Sequence, residues 1–221
     1  QPQDGVLDTR EADFSAGVYH VENSWDYYPG QILYPEAFAD PTAAPEKQND
    51  AKRDETLGTW RLRILAQPDT YLDLCSYSID YSTRVFVNGT EVRSIGFVSE
   101  DPAQVVHDGL YMTLPIYFGE SGEAEIIYQY ANHMHNDGGF IQMTVIGTPE
   151  RIDEYQRSLR LNAMVVGGGL MMLFFYYLLC AAFQKSRQFT ALAVCCLVMA
   201  LRNQMFFTEH LLPPDFPYLF L

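Results

Sequence analysis

Leu161-Asn162-Ala163-Met164-Val165-Val166-Gly167-Gly168-Gly169-Leu170-Met171-Met172-Leu173-Phe174-Phe175-Tyr176-Tyr177-Leu178-Leu179-Cys180-Ala181-Ala182-Phe183 carries no charged side chain. A helix rises about 1.5 Å per residue, so this stretch is long enough for the ~30 Å hydrocarbon core of a bilayer. Only Asn162 is strongly polar, and the polar stripe of a buried soluble helix is missing. The composition predicts a transmembrane helix over 161–183. That span divides the chain into a polar, strand-rich part and an apolar part.

Immediately upstream, Thr148-Pro149-Glu150 is a helix start: a capping hydroxyl, a proline in the first turn and an acid against the helix dipole. Ile152, Tyr155 and Leu159 then fall on one face. A juxtamembrane helix is expected over 148–160, running into the span without a break. Before Thr148 no helical period of useful length occurs. Trp60-Arg61-Leu62-Arg63-Ile64 alternates apolar and charged residues as a half-buried strand does. Tyr71–Leu74, Leu110–Phe118, Ala124–Tyr130 and Phe140–Ile146 read as further strands, and Gly17–Val21 as a first one. Arg84-Val85-Phe86-Val87, Asn88-Gly89, Thr90-Glu91-Val92 is a hairpin with a two-residue turn. Asn88-Gly89-Thr90 also matches a glycosylation sequon, but the turn is the preferred reading. Many short strands at close spacing imply an all-β jelly roll or β-sandwich over 17–147, followed by α-helical membrane segments. Residues 1–16 are expected to be a mobile leader, and 40–58 a surface loop.

Downstream, residues 184–188 form a short loop with Lys185 and Arg187 and no acid. The positive-inside rule places it in the cytoplasm, and residues 1–160 outside the cytoplasm. Phe189–Leu201 is too short to cross alone, but 189–210 suffices if Arg202 faces other helices or snorkels. Residues 211–221, after Leu211-Leu212-Pro213-Pro214 ends that helix, would begin the next extracytoplasmic loop or span. The reading is a multi-pass cell-membrane protein whose native chain continues past Leu221. The opening Gln1-Pro2-Gln3-Asp4 fits a trimmed signal peptide.

Charge and cysteine content narrow the classes. Residues 1–160 hold 26 of the 28 acidic but only 11 of the 14 basic residues. So acidic a domain is repelled by nucleic acid and by anionic lipid surfaces. Cys75 stands alone in the polar part, while Cys180, Cys195 and Cys196 lie in apolar stretches, so packing rather than a disulfide framework holds the domain. There is no Gly-x-Ser-x-Gly elbow, His-Glu-x-x-His, phosphate loop or Cys-x-x-Cys pair, and an enzymatic role for these residues is not expected.

This organisation resembles the bacterial seven-transmembrane receptors with diverse intracellular signalling modules. Their extracytoplasmic part is similar to galactose-binding-like jelly rolls of carbohydrate-binding modules and glycosidases. Tyr27-Tyr28-Pro29-Gly30-Gln31-Ile32-Leu33 looks like the family's opening motif, and Ser82–Val92 with Gly96 like its central hairpin. Tyr130-Ala131-Asn132-His133, Gly138-Gly139-Phe140 and Ile146-Gly147 resemble its last strands, and Lys185-Ser186-Arg187 its first cytoplasmic turn. The resemblance implies a small carbohydrate or related polar ligand, no cofactor, and a kinase-like or cyclase-like output beyond Leu221. Five further spans are implied too, and a homodimer is compatible with it.

By chemistry, the candidate ligand residues are Trp25, Tyr27 and Tyr28 for stacking on a pyranose, with Asn132, His133, His135 and Asp137 for hydrogen bonds. Trp25, Tyr27 and Tyr28 compete with a core role, whereas Trp60, in phase with Leu62 and Ile64, is core. His133 and His135 with Asp137 have metal-ligand spacing, but a polar turn-rich loop explains them better, and no metal site is assigned. Arg61 and Arg63 share the opposite strand face, solvated or ligand-pairing. Gly167–Gly169 permits close helix approach. A membrane-anchored carbohydrate-binding or adhesive module without signalling is the alternative function. A tethered glycosidase accessory domain, with its catalytic domain upstream of Gln1, is a third reading.

Overall fold

The computed structural model describes residues 5–21, 25–39, 56–76, 82–105, 112–133 and 144–208. Contacts group the chain into two units, Gln1–Ile152 and Asp153–Leu221.

The first unit is a two-sheet β-sandwich. Its strands are β1 (Val6–Asp8), β2 (Tyr19–His20), β3 (Asp26–Pro29), β4 (Leu57–Leu65), β5 (Tyr71–Ser76), β6 (Ser82–Val87), β7 (Thr90–Ile95), β8 (Met112–Tyr117), β9 (Glu123–Ala131) and β10 (Val145–Gly147). One sheet runs β1-β4-β9-β6-β7, with β3 also paired to β4; the other runs β2-β10-β5-β8. From β4 to β6 and from β7 to β10 each connection crosses between sheets, as in a jelly roll.

Alternation decides what each strand buries. In β4, Trp60, Leu62 and Ile64 point into the sandwich core, and Arg61 and Arg63 point away. Facing side chains such as Leu72, Leu74, Leu114 and Ile116 close that core from the other sheet. The β6–β7 turn has φ of 48° at Asn88 and 77° at Gly89, the two positive values a type I′ turn requires.

One expectation is corrected. Residues 6–8 are not a mobile leader but strand β1, parallel to β4 with Val6 opposite Arg63. Leu7 packs against the core, and Thr9 donates through both its N–H (2.7 Å) and its hydroxyl (2.8 Å) to the Leu65 carbonyl.

The second unit contains most of α1 (Pro149–Gln184) and all of α2 (Arg187–Thr208). Helix α1 is unbroken through the expected junction at residue 160, and its first turn is closed by Ile152 N–H on the Thr148 carbonyl at 3.0 Å. It is the only helix among the described residues long and apolar enough to cross a membrane. Large apolar side chains stand exposed on the surface turned away from α2, Val165, Met172, Leu179 and Phe183 among them. Only Lys185 and Ser186 separate the helices, and Lys185 takes positive φ to make the turn. Tyr177 stacks on Phe189, and Asn203 Nδ2 donates to the Ala163 carbonyl at 2.8 Å, so the helices pair antiparallel. Gly167 is buried, whereas Gly168 and Gly169 meet nothing.

Candidate functional site

Strand β3 brings the aromatic candidates into the fold by pairing with β4, Tyr27 opposite Trp60 and Tyr28 opposite Thr59. Tyr27 therefore shares the inward face. Its ring stacks on Trp60 at 4.2 Å, and its hydroxyl lies 2.7 Å from that of Tyr130. Trp25 meets Tyr128 edge-on at 5.4 Å. Tyr28 faces outward, but it is covered by Phe38 and belongs to a small second core with Phe86 and Ile127.

All three rings are buried, Tyr27 to 1% exposure and Trp25 to 5%. The stacking platform expected from Trp25, Tyr27 and Tyr28 is thus corrected: no ring face is left for a sugar. The physical reason is twofold: Trp25 and Tyr27 lie in the core between the sheets, and Tyr28 is covered by residues 30–39, which cross the outer face of the first sheet. Thr59 Oγ1 donates to the Gln31 carbonyl (2.7 Å) and accepts from Leu33 N–H (2.9 Å). Gln129 Nε2 donates to the Leu33 carbonyl (2.9 Å), and Arg84 Nη1 to the Tyr34 hydroxyl (2.9 Å). Arg61 lies over the Phe38 ring and its Nε donates to Glu125 Oε1 at 2.7 Å, which makes it a structural partner rather than an open ligand contact. Arg63 is exposed.

Pro29 pairs with Gly58, and Gly58 with Tyr130, so β3 and β9 end at the same level on either side of β4. Asn132 follows directly. It is buried, and its N–H donates to the Thr56 carbonyl at 2.6 Å, bracing the strand end. His133 is half-buried, with Nε2 3.5 Å from the Ser99 carbonyl. His135 and Asp137 lie outside the described residues. Among the described residues no three His, Cys, Asp or Glu side chains converge on a metal position.

Below this end of the sandwich is a polar feature that sequence reading missed. Ser76 Oγ lies 3.2 Å from both the Tyr128 hydroxyl and Thr144 Oγ1, all three buried. Burial pushes the Tyr128 phenol far above its ordinary range, partly opposed by the Ser76 hydrogen bond. Trp25 Nε1 is buried and meets no hydrogen-bond partner among the described residues. In sequence, a Ser and a Thr at strand ends carry no mark that would single them out.

No family model and no curated protein matches the chain. Among solved structures, a GH2 β-galacturonidase from Eisenbergiella tayi bound to galacturonate is similar at a TM-score of 0.35 and 10% identity, over 58% of this chain and 24% of that one. A family 35 carbohydrate-binding module from Clostridium thermocellum matches at 0.30 and 18%, over 58% of this chain and 94% of the module. A CBM35 from Paenibacillus barcinonensis matches at 0.28 and 12%, again over 58% and 94%. The chain spans less than a quarter of that glycoside hydrolase. At such scores and identities, the chemistry of the site rests on its own residues.

Proposed function

We propose that this chain is the ligand-sensing part of a multi-pass membrane receptor. Its extracytoplasmic sandwich would bind a small polar ligand, a carbohydrate by preference, and α1 would pass the bound state to the membrane helices. The observation that carries this reading is α1 itself. One unbroken helix starts two residues after the last strand and continues through the whole apolar stretch. A flexible tether would suit an anchor, whereas a shared helix makes strain at β10 felt in the bilayer. A ligand that favours one arrangement shifts the equilibrium by its differential affinity.

The proposed ligand position is the end of the sandwich where β9 stops, with His133 as the half-buried polar group and Asn132 as its brace. His135 and Asp137 are proposed partners in the same loop. Helix α2 is proposed as a second span, and a downstream intracellular module as the output.

The test uses the full chain in lipid nanodiscs, melted in the presence of a panel of neutral and acidic mono- and disaccharides. A binder raises the melting temperature by mass action. Stabilisation that is lost in His133→Ala is the expected result. A panel without any stabilising sugar removes the carbohydrate class.

A further inference from the structure

The β6–β7 turn holds the one asparagine of the chain that is followed by glycine; the six others each precede a residue with a Cβ. That difference matters chemically, because no side chain shields the Gly89 nitrogen from the carboxamide of Asn88. Attack of this nitrogen on Asn88 Cγ is intramolecular and closes a five-membered succinimide ring. The bond from Gly89 N to Cγ forms, and the bond from Cγ to Nδ2 breaks. The Gly89 amide proton passes to solvent, and Nδ2 takes up a proton and leaves as ammonia. Water then opens the ring at either carbonyl, giving aspartate or isoaspartate, and no redox partner is required.

Asn88 and Gly89 are both exposed, so burial does not withhold water from them. Two features of the folded turn nevertheless oppose ring closure. Closure needs the Cα–Cβ bond of Asn88 eclipsed with the bond to Gly89 N. A type I′ turn is the mirror image of type I and sets ψ of its first central residue at about +30°, which holds those two bonds almost opposite. The φ angles of 48° and 77° place Asn88 and Gly89 in that turn. The second feature is a clamp. Asn88 Oδ1 accepts from the Glu125 N–H at 2.8 Å, and the Asn88 N–H donates to the Glu125 carbonyl at 2.9 Å. Main chain and side chain of Asn88 are thus both tied to β9.

We propose that Asn88-Gly89 is a gated deamidation site, inert while the hairpin tip is seated on β9 and reactive when the tip lifts away. Local opening of this kind occurs without global unfolding. Deamidation makes it permanent, as chemical modification of an opened state does. Isoaspartate carries one more main-chain atom than asparagine, so Val87 and Thr90, which face each other across the turn, lose the two-residue geometry that pairs them. The aspartate product keeps the main chain and still accepts from Glu125. This site does not depend on the proposed sensing site.

Peptide mapping by mass spectrometry tests the gate, on the nanodisc-embedded full chain incubated in mildly alkaline buffer, with and without urea sufficient to unfold the sandwich. Asn88 should convert before every other asparagine, and at least about tenfold faster in urea than in native buffer. Val87→Ala weakens the pairing beside the turn, so it should speed conversion in native buffer several-fold and leave the rate in urea unchanged. Gly89→Ala should slow conversion in urea, where its effect on the turn no longer counts. Equal rates with and without urea would show that the turn is no gate. A native-buffer rate indifferent to Val87→Ala would show that opening of the hairpin does not control the reaction. Conversion of another asparagine ahead of Asn88 in urea would remove the site altogether.

Discussion

Gly58 shows how one missing Cβ is built into the core. It pairs with Tyr130, and a Cβ there would lie 3.0 Å from both Tyr130 Cε1 and its hydroxyl, and 3.1 Å from Tyr27 Cε2. Those two rings share the buried hydroxyl contact, so neither swings aside without breaking it. Gly58→Ala should therefore destabilise the sandwich by about 1–3 kcal/mol in urea unfolding; an unmoved midpoint would show that the rings relax freely. Tyr128 makes a second residue-level prediction. Its folded pKa lies above the unfolded value near 10, so above pH 10 the unfolded chain holds fewer protons and stability falls as pH rises. Tyr128→Phe lowers stability at neutral pH but should flatten that alkaline decline by up to about 1.4 kcal/mol per pH unit. Circular dichroism melts between pH 9 and 11 read the slope, and an unchanged slope would assign the decline to other groups. The aromatic residues also mark a limit of sequence reading. Trp60 was legible as core because Leu62 and Ile64 share its phase, whereas Trp25, Tyr27 and Tyr28 show no period of their own and acquire a face only by pairing with β4.

At the scale of elements, local chemistry was readable and long-range pairing was not. Asn88-Gly89 names its own turn, because few other dipeptides accept two positive φ angles in succession. Gly89→Val should cost more than about 1 kcal/mol in thermal or urea melts, although an added Cβ would meet, among the described residues, only Pro35 Cβ at 4.0 Å. A melting temperature equal to that of the unsubstituted chain would mean the strain is absorbed elsewhere. The alternation that exposes Tyr71 and Tyr117 was also present in the sequence, since each stands out of phase with two buried aliphatic neighbours. Strand β1 gave no comparable sign. Val6-Leu7-Asp8 is three residues in a polar stretch, and its parallel partner lies more than fifty residues away. The cover over the first sheet was hidden for the same reason: residues 30–39 lack periodicity, and what fixes them are hydrogen bonds to Thr59, Arg84 and Gln129.

For the molecule as a whole, charge and hydropathy predict the orientation that the proposed function needs. An acidic domain of 1–160, with 15 more acidic than basic residues, is followed by an apolar helix and a turn bearing Lys185 and Arg187. Positive residues close to a span resist translocation, while acidic residues contribute little to the choice. Helix α1 has its acidic and basic residues confined to positions 150–160, and from Leu161 to Phe183 nothing charged interrupts it. The Lys185–Ser186 turn is therefore predicted to remain on the cytoplasmic side with the sandwich outside. Ser186→Cys is the direct probe, because Ser186 sits in the two-residue turn outside both helices. The chain's own Cys75 lies in the sandwich and Cys180, Cys195 and Cys196 within the helices, so a background without all four isolates the signal. In intact cells the Ser186→Cys thiol should resist an impermeant maleimide and react once the membrane is opened. Labelling in intact cells would invert the topology and place the acidic sandwich inside. An extracytoplasmic sensor would then be untenable, because its ligand site would face the cytoplasm.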